Sequence, residues 1–540
     1  MDLITLNNGV TIPQVGLGTY LLEPDDAQSA VTYALDNGYT LIDTANVYVN
    51  ERAVGRGMHA SSKAREEIFL ETKLWPSFFE RATAVDETLE TATPVLEEML
   101  DDAAARGLIE NTVNERDLFD TRIMDCVMPR PSEVVREFRA HYAASPQEAT
   151  DWYYRLSIAS NYIRKTRIDQ NIAWKTATEY GDLDVTINLS KPEKDPRDIA
   201  KAKLAKASSY PKCLLCRENE GYAGRANHPA RETHRLIPLD LCGAQWFLQY
   251  SPYTYYNEHC IILNGDHVPM QISRHTFENL ACFLRLFPHY FAGSNADLPI
   301  VGGSILSHDH YQGGRYTFAM ERAATEKEYA FKNYPTVRAG RVKWPMSTLR
   351  LTSPDADALI DLAEKILAAW RVYSDASVEI LAETDGTPHN TITPIARRRG
   401  EDFEFDLVFR NNRTTAEHPL GLFHPHAEVH HIKKENIGLI EVLGLAILPA
   451  RLRDEMDAVR TALLEGTADI ADRADIAKHA DWYRKVRAAH PSVTAENVDG
   501  ILRDEIGAVF LEVLVHAGVF KRTLEGMAAF DRWIESVEQV

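Results

Sequence analysis

The sequence predicts an α+β protein that is preceded by a shorter, partial β/α segment. Over about the first 85 residues, short apolar strands alternate with a helical stretch, as in parallel β/α units. Later in the chain, two His-x-His pairs lie on or at the ends of predicted strands, at residues 308/310 and 424/426. Beyond residue 451, apolar residues recur at the spacing of amphipathic helices. Together these patterns indicate mixed sheets and helices.

The N-terminal segment is the source of the β/α prediction. Ala27, Val31 and Leu35 fall on one face of a predicted helix over residues 25–37, and Gly38 ends it. Strands are predicted before this helix, after it and once more downstream, over residues 11–18, 39–44 and 67–72.

Helices and strands of the later chain follow from the same two periodicities. A helical pattern covers residues 86–110, and another begins at Ile437. Apolar residues on one helical face predict core positions at Leu359, Leu362, Ile366 and Trp370. Strands are predicted over residues 185–189, 305–311 and 405–412.

The composition limits the partners that the chain can have. Its 59 Lys and Arg against 79 Asp and Glu give a net charge of −20, which argues against broad nucleic-acid binding. The first residues show no signal-peptide pattern, and the apolar stretch 438–449 is too short to cross a bilayer. The six cysteines are mostly scattered and suit a reducing cytoplasm better than a disulfide framework. We therefore expect a cytoplasmic protein without a membrane partner.

The stretch DLPIVGGSILSHDHYQGG, residues 297–314, carries the strongest candidate chemistry. On a strand, His308 and His310 would share one face, and a neutral imidazole there could attack phosphorus. Gly303 and Ser304 allow backbone amides to approach an anionic phosphate, and Gln312 could hold a phosphoryl oxygen. The alternative is a pair of half-exposed strand histidines without function.

A Cys-x-x-Cys pair, Cys213 and Cys216, is a second candidate. It could hold zinc, given two more ligands, or be a thioredoxin-like redox pair, although the expected βαβ context is missing. It could also be two buried thiols.

Basic side chains provide candidate phosphate contacts. Arg225, Arg231 and Arg235 lie in a loop-like segment with glycines and a proline, and guanidinium groups match phosphate oxygens. Lys433, Lys434 and Glu435 precede the predicted helix at Ile437 and could reach a sugar phosphate, with Lys434 as the chosen candidate. In both places a solvated basic surface is the alternative.

Several of these motifs together resemble class II galactose-1-phosphate uridylyltransferases. The resemblance covers about residues 95–540 and rests on residues 297–314 and on the runs INLSKPEKDP (187–196), NEGYAGR (219–225), QYSPY (249–253), HNTITP (389–394) and HIKKENIG (431–438). It implies two histidine-triad-like halves with antiparallel sheets and packed helices, over residues 91–330 and 331–540. A homodimer is a further expectation.

The resemblance also implies a reaction and the residues that perform it. His310 would attack UDP-glucose and release glucose 1-phosphate, and galactose 1-phosphate would then take the uridylyl group from the histidine, a step of galactose metabolism. His308 would hold a metal or orient the loop, and Gln312 would stabilise phosphoryl oxygens. His426 is a competitor for the nucleophile, and His424 and His426 are expected to bind a second metal or support the fold. A nucleotide hydrolase or phosphorylase that uses the same histidine is the alternative within the superfamily.

Zinc is implied by the distantly related class I enzymes. There a Cys-x-x-Cys pair, a later His and the first His of the active-site pair hold the metal, and the same order occurs here as Cys213, Cys216, His267 and His308. His259 is the rival of His267 for the third position.

Residues 1–90 resemble the N-terminal part of an aldo-keto reductase. The motifs are LNNG (6–9), VGLGT (15–19), IDTA (42–45) and TKLW (72–75), and the family's proton-transfer residues map to Asp43, Tyr48 and Lys73. About three β/α units cannot close a (β/α)8 barrel, so we expect a truncated barrel-like fragment and no nicotinamide cofactor. An NADPH-dependent reductase, or a fusion relic with impaired activity, is the alternative for the whole chain.

Overall fold

The computed structural model describes residues 3–5, 11–73, 92–190, 210–303 and 305–537 of the 540-residue chain. The candidate site residue Ser304 lies outside these ranges, as do residues 6–9, 74–75 and 191–196 of the motifs quoted above and residues 86–91 of the helix predicted over 86–110. Contacts between Cα atoms divide the chain into two compact units, one of residues 1–88 with 127–130 and one of residues 89–126 with 131–540.

The first unit contains short strands and two helices. They are β1 Leu3–Thr5, β2 Thr11–Pro13, β3 Leu17–Gly18, α1 Pro24–Asp36, β4 Leu41–Asp43, α2 Glu51–Ala60 and β5 Phe69–Glu71. β3, β4 and β5 form a parallel sheet, which confirms the β/α prediction, and its core includes Val31, Leu35 and Ile42. The strand predicted over residues 11–18 is instead two strands, because β2 pairs with β1 while β3 joins the parallel sheet.

The second unit holds the remaining strands. They are β6 Ile172–Thr178, β7 Gly181–Ile187, β8 Ile237–Leu241, β9 Ala244–Tyr250, β10 Cys260–Asn264, β11 Phe291–Gly293, β12 His310–Gly314, β13 Thr325–Tyr329, β14 Arg338–Val342, β15 Thr348–Ser353, β16 Glu383–Thr384, β17 Thr387–Pro388, β18 Asn390–Arg399, β19 Asp402–Asn411 and β20 Leu445–Leu448.

The helices of the second unit pack around these strands. They are α3 Ala92–Ala105, α4 Val113–Asp125, α5 Pro131–Ala144, α6 Pro146–Ala159, α7 Lys165–Ile168, α8 Arg274–Leu286, α9 Ala319–Arg322, α10 Ala356–Arg371, α11 Leu439–Val442, α12 Arg451–Leu464, α13 Ala480–Ala489, α14 Val498–Ala517 and α15 Leu524–Val537. None of the helices in the described ranges is long and apolar enough to cross a membrane.

One large antiparallel sheet organises the second unit. Its strand order is β13-β14-β15-β19-β18-β11-β12-β10-β9-β8, so strands from both sides of residue 330 are hydrogen-bonded in one sheet. The junction is the pairing of β11 with β18, where Ala292 lies opposite Ala396. A smaller sheet, β20-β7-β6, packs its buried face into a core that also contains Trp344 and Phe510. The mixed, largely antiparallel architecture agrees with the predicted α+β class.

The helix predicted from the stripe at residues 359–370 is confirmed. In α10, the Asp355 side chain accepts hydrogen bonds from the backbone N–H groups of Asp357 and Ala358, which caps the helix. Leu359, Leu362, Ile366 and Trp370 are all buried, as their spacing predicts.

The strand predicted over residues 305–311 is wrong. The strand, β12, begins only at His310 and continues to Gly314. Before it, the chain is held by irregular bonds, from the backbone N–H of Asp309 to Val268 O and from that of Asn264 to Asp309 O. His308 is therefore outside the strand, and period-two alternation does not relate it to His310.

Two of the cysteines differ from the expectation of reduced thiols. Cys242, in the turn between β8 and β9, is joined in a disulfide to Cys282 of α8. Cys126, Cys213, Cys216 and Cys260 are free.

A buried ion-pair network lies on the large sheet. Asp406 of β19 has no exposed surface and accepts hydrogen bonds from the guanidinium groups of Arg350, at 2.7 and 2.9 Å, and Arg397, at 2.6 and 2.8 Å. Burial acts to raise the pKa of Asp406, but these guanidinium groups hold it below its ordinary value.

We expect the substitution Asp406→Ala to lower the free energy of unfolding by about 3–5 kcal/mol, because it leaves two buried guanidinium groups without their shared partner. Urea denaturation measures this loss. The matched control is Asp454→Ala, which removes an exposed carboxylate paired with Arg453 and should change stability by less than about 0.5 kcal/mol. Equal losses of stability in the two variants would show that the buried carboxylate of Asp406 stabilises the fold no more than an exposed one does.

Candidate functional site

A cavity of about 880 Å³ lies against the large sheet in the second unit. Residues singled out from the sequence line it, namely Arg231, His259, Gly303, His310, Gln312 and Lys433. His310 and Gln312 are two residues apart on β12, so their side chains leave the same face of the strand. This volume is sufficient for a ligand of nucleotide-sugar size.

The environment of His310 fixes which of its ring nitrogens can react. Its Nδ1 lies 2.8 Å from the carbonyl oxygen of His308. A carbonyl can only accept, so Nδ1 carries the proton and Nε2 keeps a free lone pair. Burial lowers the pKa of His310 to about 4, which keeps the ring neutral at pH 7. A neutral imidazole with a fixed tautomer is suited to nucleophilic attack.

The glycines of the motif allow close backbone approach. A Cβ added to Gly303 would lie 2.6 Å from Nδ2 of Asn295, which also lines the cavity. A Cβ on Gly314 would lie 2.6 Å from the carbonyl oxygen of Glu258, and the φ of +148° there also favours glycine. Side chains at these positions would push the loop and β12 away from their neighbours.

A second cluster lies beside the cavity. Sγ of Cys213 is 3.2 Å from Nδ1 of His308, and Sγ of Cys216 is 3.1 Å from Nδ1 of His267. The four donor atoms all lie within 4.8 Å of one another. Nε2 of His308 lies 2.9 Å from the carbonyl oxygen of Asn264, so Nε2 is protonated and Nδ1 presents its lone pair to the cluster.

The buried amide of Asn219 holds the Cys-x-x-Cys turn. Its Nδ2 donates to the carbonyl oxygens of Cys213 and Cys216, each at 2.8 Å, and its Oδ1 lies 2.6 Å from Nε2 of His228. The sequence places Asn219 within the motif at residues 219–225, but only the fold shows that its side chain turns back to the cysteines.

The basic side chains differ in where they lie. Arg231 reaches the cavity, and its guanidinium carbon is 5.7 Å from the ring centre of Tyr162. Arg225 does not line the cavity; it donates to Asn227 and to the carbonyl oxygen of Tyr210. Arg235 is buried and donates to backbone carbonyl groups.

The neighbouring lysines Lys433 and Lys434 point to different environments. Lys434 is exposed, whereas Lys433 is buried and lines the cavity. Nζ of Lys433 is 2.9 Å from Oε1 of Glu441 and 3.0 Å from the carbonyl oxygen of Ile447. The sequence offers both lysines as candidates and cannot choose between them; only the fold shows that Lys433, not Lys434, lies at the cavity.

The second His-x-His pair lies apart from this cavity's lining. Nε2 of His426 is 3.0 Å from the carbonyl oxygen of Leu422, and its ring stacks on those of His418 and His516. Nδ1 of His516 accepts from the backbone N–H of His426 at 3.3 Å, and its Nε2 lies 3.0 Å from Oε1 of Glu512. His426, Glu428 and His516 each place a ligand atom within 4.8 Å of the others, so this group could hold a metal ion, as expected for His426.

In the first unit, two of the three reductase-like residues are in contact. Nζ of Lys73 donates to Oδ1 of Asp43, and this hydrogen bond raises the pKa of Lys73. Tyr48 lies in a short 3₁₀ turn after β4, with its ring 5.0 Å from that of Tyr20.

Sequence profiles match both parts of the second unit. Residues 77–269 match "Galactose-1-phosphate uridyl transferase, N-terminal domain" and residues 283–483 match the C-terminal domain of the same name. Residues 14–131 match the aldo/keto reductase family, which extends past the end expected near residue 90.

Several whole proteins similar to the chain are named galactose-1-phosphate uridylyltransferase. Galactose-1-phosphate uridylyltransferase of Clostridium acetobutylicum is 64% identical over 83% of this chain and 90% of its own length. The enzymes so named of Halalkalibacterium halodurans and Streptococcus pneumoniae are 55% and 51% identical, over 84% and 88% of this chain and 90% and 96% of their own lengths.

Similarity to solved structures is weaker. An aldo/keto reductase of Brucella melitensis is 49% identical over 14% of this chain and 30% of its own, with a TM-score of 0.14. A yeast Ap4A phosphorylase is 12% identical over 56% of this chain and 90% of its own, with a TM-score of 0.29. Neither TM-score supports an argument.

We expect Asn219→Ala to lower the free energy of unfolding by about 1–3 kcal/mol, because the carbonyl groups of Cys213 and Cys216 lose a buried donor. Urea denaturation measures this loss. Asn227→Ala, at an exposed side chain that accepts from Arg225, is the control and should cost less than about 0.5 kcal/mol. A loss of the same size in the control would show that Asn219 has no special role.

Proposed function

The chain belongs to the galactose-1-phosphate uridylyltransferase family and is a nucleotidyltransferase, and we propose that it transfers the uridylyl group through a covalent bond to His310. The observation that carries this proposal is the hydrogen bond from Nδ1 of His310 to the His308 carbonyl oxygen, which leaves Nε2 as the reactive nitrogen at the cavity.

The reaction takes two displacements at one phosphorus. In the first, Nε2 of His310 attacks the α-phosphorus of UDP-glucose, the P–O bond to the leaving phosphate breaks, and its electron pair departs with glucose 1-phosphate. The ring then carries a positive charge, which the carbonyl oxygen of His308 stabilises through the Nδ1–H bond. In the second, a phosphate oxygen of galactose 1-phosphate attacks, the P–N bond breaks, and UDP-galactose leaves a neutral imidazole. Ping-pong kinetics follow.

Little general-acid help is needed because the leaving group is a phosphate monoester. The protein's task is to hold the phosphates in line and to stabilise charge on their oxygens. Gln312 supplies an amide beside the nucleophile, and Arg231 supplies a positive charge at the cavity wall. The backbone at Gly303 can approach a phosphate closely. We assign UDP-sugars and hexose 1-phosphates as the substrates.

Zinc is the metal that fits the second cluster. Two thiols and two imidazole Nδ1 atoms form a soft donor set of the kind that binds zinc, and the hydrogen bond from His308 to Asn264 orients one ligand. Cys213, Cys216, His267 and His308 would hold the ion. Bound zinc would supply a structural cross-link between the Cys-x-x-Cys turn and the loop that leads into β12.

We also propose that residues 91–330 and 331–540 form two histidine-triad-like halves that share the large sheet. The support is a His-x-His pair in each half and the antiparallel sheet that crosses residue 330. Residues 1–90 then form a separate reductase-like fragment. A homodimer stays a prediction from the family resemblance.

The covalent step is tested with UDP-glucose labelled at the α-phosphorus. After incubation and denaturation under mildly alkaline conditions, we expect acid-labile label on the parent protein and none on His310→Ala. His426→Ala is the matched control, because it removes the competing histidine and should keep the label. Label that survives His310→Ala but disappears in His426→Ala would overturn the choice of nucleophile.

The acceptor is tested by chasing the labelled protein. We expect galactose 1-phosphate to remove the label as UDP-galactose, while water and inorganic phosphate act far more slowly. Equally rapid removal by water or phosphate would instead indicate a hydrolase or a phosphorylase. Thin-layer chromatography of the released nucleotide distinguishes these outcomes.

Zinc binding is tested by metal analysis of the purified protein. We expect about one equivalent of zinc per chain and a clear loss in Cys216→Ser, because a hydroxyl is a poor replacement for a thiolate ligand. Cys126→Ser, at an exposed free cysteine, is the control and should keep the metal. An unchanged zinc content in Cys216→Ser would contradict this ligand set.

A further inference from the structure

His259 does not join the metal cluster but contacts the active-site strand. It immediately precedes β10, which pairs antiparallel with β12 so that Ile261 lies opposite Gln312. Nε2 of His259 is 3.0 Å from Oε1 of Gln312, and both side chains line the cavity. From the sequence, His259 and His267 are alternative candidates for the third zinc ligand. In the structure, His267 lies with Cys213, Cys216 and His308, and His259 does not.

The imidazole of His259 is held in place by its neighbours. Only 2% of the residue is exposed, and the ring packs against those of Tyr255 and Tyr256, with centres 5.4 and 4.6 Å away. Burial lowers its pKa to about 4, so the ring is neutral at pH 7 and carries one N–H. Nδ1 of His259 is buried and makes no hydrogen bond within the described ranges, so the single proton is better placed on Nε2, where the amide oxygen of Gln312 can accept it.

This hydrogen bond decides which way the amide of Gln312 faces. With Oε1 occupied by His259, the NH₂ group is the end that remains for a ligand beside His310. If the amide flipped, with its oxygen and nitrogen exchanged, its oxygen would face a phosphoryl oxygen, and these two acceptors would repel each other. An isolated glutamine has no strong preference between the two orientations, so a neighbour must select one.

We propose that His259 is a positioning residue, which holds the side-chain amide of Gln312 with its donor groups directed at the phosphoryl oxygens of the group being transferred. This inference rests on the proposed uridylyl transfer and adds a residue to it. His259 contributes through Gln312 rather than by contact with the reacting atoms.

The test measures the rate of uridylylation in a single turnover with saturating UDP-glucose. His259→Phe keeps an aromatic ring against Tyr255 and Tyr256 but loses the N–H. We expect the rate constant to fall about 10- to 100-fold, less than the roughly 10²–10³-fold loss typical when an oxyanion donor is removed outright. His259→Gln, whose amide N–H can replace Nε2–H, should recover part of the rate.

A double-mutant cycle separates positioning from packing. In a Gln312→Ala background there is no amide to orient, so His259→Phe should cause no further loss. His289→Phe is the matched control, because it removes a similar bond, 2.9 Å from Nε2 of His289 to the Thr150 hydroxyl, away from the cavity. We expect this control to keep the parent rate.

The outcomes distinguish this inference from the function on which it rests. If His259→Phe slows the reaction equally with and without Gln312, His259 acts through packing and the positioning role is overturned. An unchanged rate in His259→Phe overturns it as well. Absence of label on the parent protein would instead overturn the proposed transfer itself, and this inference with it.

Discussion

The backbone carbonyl of His308 accepts the hydrogen bond that places the proton of His310 on Nδ1 and leaves Nε2 with its lone pair. The same residue uses its side chain differently, since Nδ1 lies among the thiols of Cys213 and Cys216 and Nε2 donates to Asn264. One residue thus connects His310 to the cluster of thiols and imidazoles that could hold a metal. Because these bonds share a short loop, a change in the cluster would move the carbonyl that holds His310. A metal bound at the cluster would therefore act on the position of His310 through this loop.

The electrostatics of the site are local rather than global. A chain with a net charge of −20 repels phosphates at long range, so binding depends on groups placed at the cavity. Arg231 provides such a group, and Lys433 provides another although it is shared with Glu441. Neutral hydrogen-bond donors add to these charged groups. Gln312 and the backbone at Gly303 can donate to a phosphate, and they carry no charge that needs a counter-ion when the site is empty.

Much of the site could be predicted from sequence because its chemistry is concentrated in continuous motifs. His310, Gln312 and Gly303 lie within eighteen consecutive residues, 297–314, and the order of Cys213, Cys216, His267 and His308 identified the cluster. The strand predicted at 305–311 failed because non-local bonds from Val268 and Asn264 determine that segment, not its own periodicity. Asn219 was missed, His259 was considered only as a zinc ligand, and Lys433 could not be told from Lys434, because the contacts of each are made across the fold. The helix α10 was predicted well because its cap and apolar stripe are local.

The most direct test of the nucleophile's fixed tautomer is the position of the bond to phosphorus. Protein labelled with ¹⁵N in its histidine rings would be loaded with UDP-glucose and studied by ¹⁵N and ³¹P NMR. We expect coupling of phosphorus to Nε2 of His310, with Nδ1 still protonated. Phosphorus bonded to Nδ1 of His310, or to His426, would contradict the central role of the His308 carbonyl.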